Sequence, residues 1–111
     1  MSNTTTKNPI AIISAEEYTA QAKAKILAHK TAAETAAENW MRKVMNPAIE
    51  SAINSATINY FPDTISVKFE GQELAGYDAT TVQNHVRATL MNHGYTNIEF
   101  KDKKLTFSVK K

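Results

Sequence analysis

The chain has 111 residues, 42% of them hydrophobic and 22% charged, with a formal net charge of +2 and no cysteine. That length fits one domain, and the lack of cysteine excludes both a disulfide framework and cysteine-ligated zinc. No run approaches transmembrane length, and the N-terminus, with one lysine and a short apolar patch at 10–13, does not read as a secretion signal; a cytoplasmic setting, in a cell or in something replicating in one, is the default.

Residues 1–9 are polar and threonine-rich and read as a free arm, with Asn8-Pro9 disfavouring helix. Ile10, Ile12 and Ile13 are too apolar for such an arm and are expected to staple onto the first helical turn around Tyr18 or onto a neighbour. From Ser14 to Ala56 the chain is rich in alanine and free of glycine. Ser14 followed by Glu17 has capping-box spacing, and Glu16 and Glu17 suit the positive end of a helix dipole. The pattern predicts one long helix, or two meeting near Pro47, where Asn46-Pro47 fits an N-cap followed by a first-turn proline.

Along this helix the less polar positions are Tyr18, Ala22 and Ile26, then His29, Ala33 and Ala37, then Trp40, Val44 and Ala48. An eleven-residue period of this kind keeps one stripe facing one way. The stripe is thin where it is alanine and heavy from Trp40 onward, where Met41, Val44, Met45, Ile49, Ile53 and Ile58 form an apolar block. An amphipathic helix that projects from a small domain must pack on something, and a second copy is the simplest partner. The predicted self-association surface is therefore Tyr18, Ala22, Ile26, Ala33, Ala37, Trp40 and Val44.

Residues 59–64 form a proline-containing turn, with Tyr60 and Phe61 expected to anchor it. The run from Ile65 to Glu70 alternates as a half-buried strand with Ile65, Val67 and Phe69 inward. Asp78 is the N-cap of a helix with Ala79, Val82, Val86, Leu90 and His93 on one face, and Gly94 supplies its left-handed stop with Tyr95 folding back. Asn97–Phe100 and Leu105–Val109 read as an antiparallel hairpin turning at 101–104. The predicted architecture is α+β: an arm (1–13), a long helix or helix pair (14–58), and a β-α-β-β module (59–111) with a three-stranded sheet whose apolar face carries the helices. The strand order stays open.

The chemistry of sites is sparse. His85 and His93 lie more than two helical turns apart, so they do not form a metal-ligand pair, and no HExxH-type motif, glycine-rich phosphate loop or nucleophile elbow is present. Glu34 and Glu38 read as a solvated helix face. No cofactor, metal or catalytic residue is expected. Lys101, Lys103, Lys104, Lys110 and Lys111 form the one local charge excess. They can hold phosphates of a nucleotide or nucleic acid, or they are a solvated hairpin tip and a charged edge strand that discourages aggregation. No aromatic residue is predicted on the outer sheet face to stack bases.

Residues 46–111, with Ile49-Glu50-Ser51-Ala52-Ile53 closing an Ala/Glu-rich helix, the alternating strand at Ile65–Phe69, and Val82, Val86, Leu90 and Gly94-Tyr95 leading into the hairpin at Leu105–Val109, resemble small accessory proteins of tailed bacteriophages. One departure is that Asn54-Ser55-Ala56-Thr57-Ile58 has no glycine at its helix end. The resemblance implies a virion component or host-takeover factor, in the host cytoplasm or the virion, that works by binding another protein; it carries no functional residue across. The reading reached is a non-enzymatic interaction protein that self-associates through its long helix, with nucleotide or nucleic-acid binding at the basic hairpin as the alternative.

Overall fold

A single helical rod carries the rest of the molecule. In the computed structural model, which describes residues 12–110, α1 spans Ala15–Trp40, a π-helical turn follows at Met41–Met45, and α2 continues over Asn46–Asn54. Ser14 caps α1, its Oγ accepting from the Glu17 N–H at 3.1 Å. The expected break at Pro47 is instead this π turn, and Asn46 is not an N-cap: its backbone is helical (φ −60°, ψ −44°) and its N–H donates to the Met41 carbonyl, five residues back. The reason lies in the proline, which cannot donate and whose ring presses on the carbonyl four residues upstream. Widening the preceding turn relieves that pressure while the rod runs on.

The rod leads through a tight turn in which Thr57 and Tyr60 exchange backbone hydrogen bonds. Strand β1 (Thr64–Lys68) follows, then a 3-10 turn at Gln72–Leu74, α3 (Ala79–Asn92), β2 (Thr96–Lys101) and β3 (Lys104–Ser108). All strand pairs are antiparallel and the order is β1-β3-β2, so the last strand lies in the middle. The β2–β3 hairpin closes through Asp102 and Lys103, both with positive φ (53° and 57°), the twist that suits a two-residue hairpin turn. At its other end β2 bulges between Thr96 and Glu99, where Asn97 also takes positive φ.

Helix α3 is punctuated at both ends. Asp78 accepts from the Thr81 N–H at 2.9 Å and from the Thr81 hydroxyl at 2.8 Å. At the C-terminus Gly94 (φ 88°) donates to the Met91 carbonyl and Tyr95 to the Leu90 carbonyl, the paired bonds of a Schellman cap. Gly94→Ala should therefore lower stability by about 1–2 kcal/mol, the penalty for a side chain in the left-handed region. Urea unfolding checks this, and an unchanged midpoint would contradict it.

The core lies between the apolar sheet face and the two helical elements. Ile65, Val67, Leu105 and Phe107 from the sheet meet Val82, Val86 and Leu90 of α3 and Ala33, Ala37, Trp40, Met41 and Met45 of the rod. The alanines let α3 approach α1 closely. Trp40 is fully buried; its ring meets Phe69 edge-on at 5.1 Å, Phe69 meets Phe100 at 4.8 Å, and its indole N–H donates to the Glu70 carbonyl at 3.1 Å. Two expectations fail here. Tyr60 does not anchor its turn but is 56% exposed, and Ile53 and Ile58 leave the apolar block for the surface. Ile53 lies on α2 and Ile58 and Tyr60 lie in the Thr57–Tyr60 turn that follows it, all three largely exposed. The molecule measures 79 × 24 × 21 Å, and among the described residues no helix is long and apolar enough to cross a membrane.

Candidate functional site

The predicted self-association surface divides in two. Its C-terminal half is used inside the molecule: Ala33, Ala37 and Trp40 are buried under α3 and the sheet, and Val44 is half-buried against the same core. Ala33, Ala37 and Trp40 are not free to meet another chain and Val44 is only partly so, a correction to the expected interface with a simple cause. The stripe faces one way along the whole rod, and the module covers that face wherever it reaches. The N-terminal half projects beyond it. Tyr18 is 68% and Ile26 66% exposed, with Ala22 half-buried between them. Ile12 and Ile13, just before α1, are exposed as well; Ile10 lies outside the described residues. The loop at Gly76–Asp78 and Thr81 forms a notch with Ile26, His29 and Lys30, and this corner marks where the projecting arm begins.

Between the rod and α3 the structure assembles a cluster that sequence reasoning missed. His85 Nε2 lies 3.0 Å from Glu38 and its Nδ1 3.8 Å from Glu34. Glu38, expected on a solvated face, thus hydrogen-bonds across to α3, with Glu34 beside it. The pairing joins positions 47 apart, and only the packing of two helices could reveal it. Beside the cluster lies an open groove of about 480 Å³, floored by Met41, Met45, Ile49, Leu90 and Tyr95 and rimmed by Glu38, Arg42, His85 and His93. Among the described residues no group of His, Asp and Glu could hold a metal ion.

The 3-10 turn is pinned to the rod by an ion pair between Lys43 and Glu73. The hydrogen bond from Lys43 holds the Glu73 carboxyl below its ordinary pKa, and the hydrogen bonds from Thr81 do the same for Asp78. Each group is more acidic folded than unfolded. Its contribution is therefore present above the unfolded pKa and is lost as pH falls through the folded one. Urea midpoints should fall as the pH is taken down through and below the carboxylate range, and less steeply in a Glu73→Gln, Asp78→Asn double variant. An equal acid response in both proteins would contradict this.

The lysines predicted at the hairpin are rearranged by the sheet register. Lys104 pairs with Lys101 on β2 and with Lys68 on β1. Directly opposed residues share a face, so Lys68, Lys104 and Lys101 form one row across all three strands, each exposed. The next row on that face is Ser66, Thr106 and Glu99, with Ser66 and Thr106 hydroxyls 3.3 Å apart. Lys103 stands at the turn beside the row, whereas Lys110 lies past the opposite end of β3 and does not join it; Lys111 lies outside the described residues. Lys104 belongs to the central strand and Lys110 follows it outside any strand, so neither sits on a charged edge strand as expected. Lys68 was missed because a one-dimensional pattern gives its face but not its neighbours.

Comparison with protein-family models, with curated proteins and with solved structures finds no match for this chain. Its class rests on fold and surface alone: an α+β module carried on one end of a projecting helix.

Proposed function

We propose that this is a non-enzymatic, self-associating protein in which the projecting half of α1 pairs with that of a second copy, leaving the α/β module to engage another protein. The observation that supports this best is the face of Tyr18, Ala22 and Ile26, regularly spaced on the half of α1 that projects past the module, with Ile26 at the module's margin. Charge favours an antiparallel arrangement. Glu16 and Glu17 occupy the first turn, while Lys23, Lys25 and Lys30 follow. Parallel copies would set acid against acid and lysine against lysine. Antiparallel copies centred near Ala22 set Tyr18 of one against Ile26 of the other. They bring Lys30 within about 3 Å, along the axis, of the level of Glu16 in the second copy, at 1.5 Å per residue. Ala22 at the centre lets the backbones come close.

On the resemblance to phage accessory proteins, we assign the setting as a virion component or host-takeover factor, which works by such binding. Sedimentation velocity across a micromolar range tests the self-association. A mass that rises to the dimer with concentration is the expected result, and a monomer at high micromolar concentration would overturn it.

A further inference from the structure

We propose that the row formed by Lys68, Lys104 and Lys101 is a binding site for the phosphate backbone of a double-stranded nucleic acid. The row carries three like charges directly opposite one another, an arrangement that destabilises a sheet. Among the described residues, none of the three takes part in an ion pair. Protection of sheet edges explains lysines on β1 and β2, since edges are where foreign strands add. It does not explain Lys104, which sits on the central strand. Glu99 and Asp102 share a surface pocket with Lys101 and Lys104 without pairing with them, and a polyanion laid across the row relieves the repulsion that remains among the three lysines.

The dimensions suit a duplex. Three strands at about 4.8 Å spacing place the outer lysines roughly 10 Å apart, about three phosphate-to-phosphate steps of one strand at roughly 3.4 Å of helix axis each. Ser66 and Thr106 stand in the next row with hydroxyls able to donate to phosphate oxygens, and Lys103 flanks the row at the turn. Glu99 lies at the far end of that second row and sets the direction of approach, from the hairpin end of the sheet. The outer face, from Thr64 and Ser66 across Thr106 and Ser108 to Glu99, holds no aromatic ring. Bases therefore have nothing to stack on, and a duplex read through its backbone fits better than a single strand. The same face has no apolar side chain to enter a lipid surface, which separates it from a membrane site.

Fluorescence anisotropy with a labelled mixed-sequence DNA duplex tests this on the full chain. Binding should be insensitive to sequence. Its log affinity should fall against log salt with a slope of about −2.7, rising to about −3.6 if Lys103 also contributes, at 0.9 per neutralised phosphate. Lys68→Ala and Lys101→Ala should each reduce the slope by about one unit, and Lys104→Glu should weaken binding at least tenfold with an unchanged near-ultraviolet circular dichroism spectrum. The proposal is overturned if the duplex does not bind at low salt, if Lys104→Glu binds as the parent does, if single strands bind more tightly, or if only vesicles containing an anionic lipid are bound.

Discussion

Replacing Trp40 with alanine should lower the stability of the protein by about 3–5 kcal/mol, the range for removing a large buried aromatic side chain. The residue is fully buried where the rod, the 3-10 turn and the sheet meet, and its ring begins the edge-on chain through Phe69 to Phe100. Its indole N–H satisfies the Glu70 carbonyl just beyond β1, so the variant leaves both a cavity and an unpaired acceptor. A small domain has only about 5–15 kcal/mol in total. Trp40→Ala should thus melt near or below physiological temperature, whereas Trp40→Phe, which refills most of the volume, should lose clearly less. Denaturant unfolding followed by circular dichroism measures both. A loss under about 1 kcal/mol for the alanine variant would mean that the rod does not pack on the sheet as described.

Ile26→Glu should dissociate the pair of arms while leaving the single copy folded. In a two-fold arrangement each residue is used twice. Burying an isoleucine contributes about 1.5–3 kcal/mol, so the change removes about 3–6 kcal/mol from association, weakening it by a factor of roughly 100 or more. In the single copy Ile26 is 66% exposed and lies at the margin of the module. Its urea midpoint at dilute concentration should therefore stay close to that of the parent. This contrast separates the effect from Trp40→Ala, which unfolds the monomer. If Ile26→Glu sediments like the parent across the same concentrations, the projecting face is not what holds two copies together.

What could be read from the sequence was local. The alternation from Ile65 to Phe69 specified a half-buried strand, and Asp78 and Gly94 bounded α3 because caps depend on residues three or four apart. The hairpin was legible for the same reason, from two apolar runs with a short polar turn. The misreadings concern relations between distant segments. Pro47 announced a disturbance, but whether the chain breaks or widens depends on the packing that holds both sides of the rod in line. The periodic stripe gave the direction of the apolar face correctly. It could not say that α3 covers Ala33, Ala37 and Trp40 while Tyr18 and Ile26 stay open, because coverage depends on where the module folds back. His85 joining Glu38, and Lys68 joining Lys104, are both products of tertiary register. In each case the residue type was visible and its neighbour was not.

Disulfide cross-linking reports directly on whether the projecting half of α1 pairs antiparallel with a second copy about Ala22. The chain has no cysteine, so each introduced thiol reports one position. Ala22→Cys should form a covalent dimer rapidly on mild oxidation, as should Tyr18→Cys mixed with Ile26→Cys, while Ala24→Cys, on the opposite side of the helix, should not. Equal cross-linking at positions 22 and 24, or none at 22, would contradict the account.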